Sequence, residues 1–399
     1  LLRQADHAMY QAKQSGKNRY HCFDIEHDRS IRGHHTNLES IRQALVGEEF
    51  VLLYQPKVNM RTGCVIGVEA LIRWKHPLRG LLPPASFLPV IENHALSAEI
   101  GEWVIERALR QMEEWQAMGL RIPVSINVGA YQLQRSDFFD RLKSRLAGHP
   151  SIHPADLAIE ILETSALEDL IHVSAIIEQC RQIGVSFSLD DFGTGYSSLT
   201  YLKRLNVDEL KIDKSFVHDM LSDPDDLSIL AGILGLSRSL SRQVIAEGVE
   251  TEAHGALLLQ MGCELAQGYG IARPLPAEEI PAWAGSWQPP ASWAEQPLRT
   301  AMEYPLLVAL VEHRAWFAAV AEHISGLRPH LPLTHHIWRL NRWIETEGRE
   351  QYGEHPGFAE VERLEREIHA RADVLSTLHK QGRSDEANAG LLELQALST

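Results

Sequence analysis

Acidic and amide side chains recur where short apolar runs of this sequence end. Glu69 lies in Val65–Ile72, and Asn127 closes Pro123–Val128. Glu160 and Glu163 lie in and just beyond Leu157–Leu162, and Asp190 and Asp191 follow Val185–Leu189. Lys211 and Asp213 sit in and after Glu209–Ile212, Glu247 follows Val244–Ala246 with Glu250 beyond it, and Gln267 falls in Leu265–Gly268. Each has a bland role when taken alone. A single Glu at such a place is usually solvated or ion-paired, Asn127 can cap a helix, and Asp190-Asp191 before Phe-Gly-Thr-Gly can be a turn. Lys211, between Leu210 and Ile212, can snorkel at an edge. Their recurrence at corresponding places on consecutive runs points instead to one shared site. Carboxylates gathered there repel one another and resist burial, and divalent cations remove both problems. Oxygen donors without Cys or His favour Mg²⁺ or Mn²⁺ over Zn²⁺. Two such ions about 4 Å apart are the usual means of cleaving a phosphodiester, activating a water and stabilising the charge that builds on phosphorus.

The elements that must position these residues alternate. Strand-like runs are Phe50–Gln55, Val65–Ile72, Pro123–Val128, Leu157–Leu162, Val185–Leu189, Glu209–Ile212, Val244–Ala246 and a weaker Leu265–Gly268. Helical periodicity fills Ser97–Met118, Leu167–Ile183, Leu227–Ser241 and Thr251–Met261. Such alternation implies a parallel sheet with helices outside. Eight strands over this span fit a (β/α)8 TIM-like barrel, in which function collects at the C-terminal ends of the strands. A doubly wound open sheet is the alternative, but no GxGxxG follows the first strand.

The chain has 399 residues, a length for two or three domains. Its 44% hydrophobic and 23% charged residues argue against wholesale disorder. Lys plus Arg number 38 against 53 Asp plus Glu, a formal charge of -15 that argues against general nucleic-acid binding, DNA or RNA. A small phosphate ligand held through metal ions remains open to it. No apolar run is long enough for a membrane span or a signal peptide. The four cysteines show no metal spacing, so a reducing cytoplasm is expected. The chain opens on Leu1, and a piece of a longer protein is expected. Residues 1–24 read as a short helix ending near Gly16, too small to bury a core alone. Residues 286–300, rich in Pro, Ala and Trp, read as a linker. Beyond it the helical stretches Tyr304–Ile324, His335–Glu347, Phe358–Lys380 and Ser384–Leu397 read as a small all-α four-helix bundle.

At the strand-end residues the sequence resembles the EAL family of cyclic di-GMP phosphodiesterases. The tripeptide stands at Glu69-Ala70-Leu71 within EALIRWKHP. Around it are YQPK at 54–57, NV at 127–128, DDFGTGYSSL at 190–199, LKIDKSFV at 210–217, AEGVET at 246–251 and QGYGIARPLP at 267–276. The resemblance runs from about 38 to 285 and implies hydrolysis of cyclic di-GMP to linear pGpG with two Mg²⁺ or Mn²⁺ ions. It implies that Glu69, Asn127, Glu160 and Asp190 bind one ion, with Asp190 and Asp191 serving the second. Lys211 would hold the attacking water, Glu247 and Gln267 would complete the water and metal shell, and Glu163 would support that shell. Gln55, Leu71 and Arg73 would hold the dinucleotide, Arg73 through charge-assisted bonds to phosphate. Gly193 and Gly195 would permit the tight turns that put both aspartates on metal. In the family the 192–199 loop links the site to a dimer interface, so a homodimer is expected. Leu162 stands where the family usually has Thr, and Gly129 where it often has Ser. Neither change removes an implied ligand. Two competing readings are a catalytically silent receptor for the same dinucleotide and a barrel enzyme acting on another phosphate ester.

Two flanks carry further resemblances. LLRQADHAMYQAKQSGKNRY at 1–20 is similar to the last helix of GGDEF diguanylate cyclase domains. The tail resembles chemoreceptor zinc-binding (CZB) bundles, in which three His and one Cys hold zinc. His313 near Trp316, WRLNRWIETEG at 338–348 and His369 follow that layout. Trp338 replaces the family's Cys, and Glu365 replaces a His four residues before His369. Glu can bind zinc, Trp cannot, and His335 or His336 would have to substitute. The implied zinc set is His313, His336, Glu365 and His369. The organisation expected is thus a GGDEF remnant at 1–24, a linker at 25–37, the EAL barrel at 38–285, a linker at 286–300 and a CZB-like bundle at 301–399.

Overall fold

The computed structural model describes residues 37–195, 199–299, 303–328 and 342–398. The helix expected at 1–24, the loop residues 196–198, His335, His336 and Trp338 lie outside the described residues. Nine strands form one sheet: β1 (Phe50–Asn59), β2 (Val65–His76), β3 (Gly80–Leu82), β4 (Val124–Asn127), β5 (Leu157–Leu162), β6 (Ser186–Phe192), β7 (Glu209–Ile212), β8 (Gln243–Ala246) and β9 (Leu265–Ala266). Their order is β1-β9-β8-β7-β6-β5-β4-β2-β3, and a β1–β2 pairing closes it into an eight-stranded barrel with helices between the strands.

All eight expected strands are present. The all-parallel expectation needs correction at two places. β1 runs antiparallel to β9, pairing Val58 with Ala266, and the short β3 runs antiparallel to β2. Residues 60–64 are too few for a crossover helix, so the chain must turn straight back after β1. β3 was not foreseen, because Gly80-Leu81-Leu82 is too short to carry a period. The interior strands β4–β5, β7–β8 and β8–β9 pair in parallel as expected.

The chain's contacts gather into two units. The first holds residues 1–55, 67–187 and 274–283. Its long helix Ala95–Ala117 turns a buried stripe of Ile100, Val104, Ala108, Met112 and Trp115 inward, the i, i+4 pattern of an amphipathic helix. Tyr54 and Trp115 meet edge to face at 4.8 Å, and Trp115 Nε1 donates to the carbonyl of Ala277 at 3.0 Å.

The second unit holds residues 56–66, 188–273 and 284–399. Here the segment expected as a linker is laid down as a strap. Its short helix Ala291–Ala294 buries Trp293, whose Nε1 donates to the carbonyl of Glu252 at 2.9 Å. The helix Tyr304–Ile324 follows, and the Tyr304 hydroxyl donates to the carbonyl of Met261 at 2.6 Å while accepting from Arg238 at 2.7 Å. The helices Tyr304–Ile324, Pro356–Lys380 and Ser384–Ser398 close on Trp316, Val320, Ile324, Ile368, Ala372, Leu375, Ala387 and Leu394. Replacing Trp293 with Ala empties a buried indole site and is expected to cost about 3–5 kcal/mol. The urea midpoint of the full chain reads this loss.

Candidate active site

In the first unit, period-two alternation puts Glu69, Leu71 and Arg73 on one face of β2 and Ala70, Ile72 and Trp74 on the other. The parallel registers set Glu69 opposite Ser125 and Asn127 opposite Glu160. Asn127 Nδ2 donates to Glu69 Oε1 at 2.7 Å, so these two strand-end residues are joined. Glu69, Glu160 and Glu163 are all buried, as is Gln55 on β1. Glu163 opens the helix Glu163–Glu168 rather than ending the strand. Leu71 and Arg73 are half-buried, and Arg73 Nη1 donates to the carbonyl of Ile72 at 2.9 Å.

The second unit holds a charged cluster of its own. Lys211 on β7 is 0% exposed. Its Nζ lies 2.6 Å from Glu247 Oε1 and 3.1 Å from Asp190 Oδ1. A lysine ammonium buried this deeply is tolerated only with close counter-charges. Oxygens of Asp190, Asp191 and Glu247 all fall within 4.8 Å of one another. Three carboxylates against one lysine leave net negative charge to be balanced by a cation. Glu247 lies one residue past β8 and Gln267 one past β9. The latter is buried, and its backbone N–H donates to the carbonyl of Ala246 at 2.9 Å.

Consecutive strand residues normally point to opposite faces, yet Asp190 and Asp191 both join this group. The pairing of β6 with β7 shifts register between Leu189 and Phe192, and Asp191 takes φ +52°. This bulge brings the second side chain round to the first. Expectation assigned that task to Gly193 and Gly195, so the device is corrected to Asp191's own left-handed backbone. Gly193 is still required: it has φ +103°, and a Cβ there would stand 2.9 Å from the ring of Phe216.

Burial, the charge of Asp190 and a hydrogen bond to Asp213 push the Asp191 carboxyl up to about 6. Asp213 goes the other way. Burial alone would raise it, but bonds from the Ser215 side chain and backbone, and from Asp191, hold it below the usual carboxylate range. Asp191 is therefore the member of the pair that takes up a proton first as the pH falls. The sequence marked Asp213 only as another strand-end acid. Its position just before Ser215, whose N–H it caps at 2.9 Å, was the available signal for this supporting part.

The tail donors fall partly within view. Glu365 is buried between two imidazoles, 3.6 Å from His313 Nδ1 and 2.7 Å from His369 Nε2. Trp316 packs against both rings, at centroid distances of 6.1 Å and 4.5 Å. His336 lies outside the described residues.

Comparison with known proteins points the same way. The EAL domain family matches residues 38–274. The bifunctional diguanylate cyclase/cyclic di-GMP phosphodiesterase MucR of Pseudomonas aeruginosa is 43% identical over 281 residues, covering 70% of this chain and 41% of MucR. The cyclic di-GMP phosphodiesterase PdeR of Escherichia coli is 36% identical over 283 residues, covering 71% of this chain and 42% of PdeR. The chain thus spans less than half the length of these curated relatives. The solved structure of the PaMucR phosphodiesterase in complex with c-di-GMP superposes with a TM-score of 0.59 at 44% identity. It covers 61% of this chain and 99% of that one.

Proposed function

The chain belongs to the EAL-domain family, and we propose that its barrel hydrolyses cyclic di-GMP to linear pGpG with the help of two divalent ions. The observation that carries the reading is the fully buried Lys211 gripped by Asp190 and Glu247, with Asp191 folded back beside them. Two oxygen-held cations suit an in-line displacement at phosphorus, and a fixed ammonium beside them stabilises the charge that develops. The relatives' names and the c-di-GMP complex supply the dinucleotide.

The donor set fits Mg²⁺ or Mn²⁺. It consists of carboxylates and one amide, without His or Cys, and it carries more negative charge than Lys211 neutralises. Glu69, Asn127, Glu160 and Asp190 would hold one ion, Asp190 and Asp191 the second, with Glu247 completing the shell. Bound there, the ions supply Lewis acidity toward the phosphate and ease deprotonation of the attacking water. Lys211 orients that water and stabilises the negative charge it acquires. Glu247 fixes the Lys211 ammonium, and Glu163 braces the donors from the start of its helix. Gln55, Leu71 and Gln267 position the dinucleotide, and Arg73 pairs with its phosphate. Water adds across one phosphodiester bond, leaving a 5′-phosphate and a free 3′-hydroxyl.

Metal affinity should fall with acidity. Asp191 must lose its proton to serve a cation, so binding is at full strength above about pH 6 and weakens by up to tenfold per unit below it. Calorimetric Mn²⁺ titrations between pH 5 and 8 read this, and a flat profile contradicts it. The substrate class is tested by incubating the chain with cyclic dinucleotides and simple phosphoesters, with Mn²⁺ or with chelator. Turnover confined to cyclic di-GMP and lost on chelation supports the reading. Turnover of simple phosphoesters alone replaces it with the broader esterase.

The setting proposed is cytoplasmic second-messenger signalling, with the chain acting as a homodimer through the barrel and lying downstream of a GGDEF domain. Among the described residues no helix is long and apolar enough to cross a membrane. For the CZB-like tail we propose zinc held by His313, Glu365 and His369, with His336 as the fourth donor. Mass-spectrometric metal analysis of the full chain is expected to lose one zinc equivalent in His369→Ala. Equal zinc in parent and variant removes this site.

A further inference from the structure

A second pair of tail histidines lies apart from the donors just named. His323 and His379 occupy the last turns of the helices Tyr304–Ile324 and Pro356–Lys380. His323 is ten residues beyond His313 on one helix, about 15 Å along its axis at 1.5 Å per residue. The two rings stand 5.2 Å apart between centroids, with their planes inclined at 62°. His323 is 4% exposed, and its Nδ1 lies 3.1 Å from the carbonyl oxygen of Arg328. A carbonyl only accepts, so Nδ1 carries the proton and the lone pair is left on Nε2. Among the described residues that Nε2 has no hydrogen-bond partner, and neither has the buried Nδ1 of His379.

We propose that His323 Nε2 and His379 Nδ1 together bind one divalent transition-metal ion of the imidazole-preferring kind, for which Zn²⁺ is the probe, with solvent filling the remaining positions. Three observations converge on this. A ring nitrogen whose partner nitrogen donates to a backbone carbonyl is the arrangement that orients metal-binding histidines. With metal–nitrogen bonds of about 2.0–2.1 Å and a tetrahedral angle, two imidazoles on one ion have centroids about 5 Å apart, which is the spacing found. Both rings sit at helix C-termini, where the backbone dipoles favour a positive charge. An ion there would staple the ends of two helices whose packed core includes Val320, Ile324, Ala372 and Leu375. The site would thus couple metal supply to the rigidity of the tail.

The test is a calorimetric Zn²⁺ titration of the full chain carrying His369→Ala, in excess Mg²⁺, with and without added His379→Gln or His323→Gln. His379 is half-buried at a helix end, so its replacement leaves the fold intact, and circular dichroism checks this. The expected result is a Zn²⁺-binding event that either glutamine variant weakens at least tenfold, together with a rise in melting temperature on Zn²⁺ addition that the variants lose. Unchanged Zn²⁺ affinity and unchanged thermal shift in a folded His379→Gln protein overturn the site.

Discussion

Replacing Lys211 with Met lowers turnover of cyclic di-GMP by about 10²–10³-fold, the range for removing one donor that stabilises developing negative charge. The same change exposes a dependence of stability on metal. Asp190 and Glu247 lose the ammonium 3.1 and 2.6 Å away, and breaking a buried pair from one side costs about 3–5 kcal/mol. Added Mg²⁺ gives the stranded carboxylates a new counter-charge, so the variant melts lower without the ion and recovers much of the loss with it. Turnover does not recover, because Met has no ammonium to orient the water and stabilise its negative charge. Steady-state rates and melting curves with and without Mg²⁺ read both halves. A Lys211→Met protein that turns over normally removes Lys211 from the chemistry and leaves it a structural lysine.

Glu69→Ala has an effect of similar size through a different route. Glu69 is buried and accepts from Asn127 Nδ2 at 2.7 Å, so its loss removes one carboxylate and leaves an amide unguided. Charge stabilisation by a bound ion is worth several kcal/mol, and at about 1.4 kcal/mol per factor of ten this is a loss of roughly a thousandfold. The rate should rise again, in part, at high Mn²⁺, because the ion is held more weakly rather than excluded. Measuring kcat against Mn²⁺ for parent and variant separates this from a folding defect, which added metal would not reverse in a concentration-dependent way. Identical metal dependence in the two proteins contradicts the role.

Much of this architecture was legible because barrel strands are buried on both faces and read as short apolar runs. Leu157–Leu162 and Glu209–Ile212 were recovered with their boundaries intact, and the tail helix Tyr304–Ile324 likewise. What escaped was set by tertiary geometry. The antiparallel entry of β1 follows from how the ring closes, which no local period encodes. The bulge at Asp190-Asp191 rests on a positive φ at a non-glycine residue, so inspection of the nearby glycines pointed to the wrong device. Pro289, Pro290 and the small residues of 286–300 read as a linker, whereas Trp293 ties the segment to its unit through the Glu252 carbonyl. Glu69, Asn127, Glu160, Asp190, Asp191 and Glu247 stand out in the sequence as acidic and amide residues where apolar runs end. The grip on Lys211 does not, because it joins the neighbouring strands β6, β7 and β8 through distances that only the folded chain sets.

The tail divides in the same manner. His313, Glu365 and His369 are singled out by the resemblance to CZB bundles, and of these only Glu365 and His369 share an i, i+4 spacing. His323 and His379 are not singled out, because they lie 56 residues apart in the chain and meet only where two helices end together.

The central claim is that the buried lysine and its ring of carboxylates break a phosphodiester rather than merely hold one. Chromatography of the nucleotides after incubating the purified chain with cyclic di-GMP and Mn²⁺ tests it most directly. Two-ion hydrolysis gives a linear dinucleotide bearing one terminal phosphate, formed repeatedly per chain and absent when the metal is chelated. Recovery of the cyclic dinucleotide intact, with tight stoichiometric binding and Mn²⁺ present, would make the barrel a receptor and contradict the proposed chemistry.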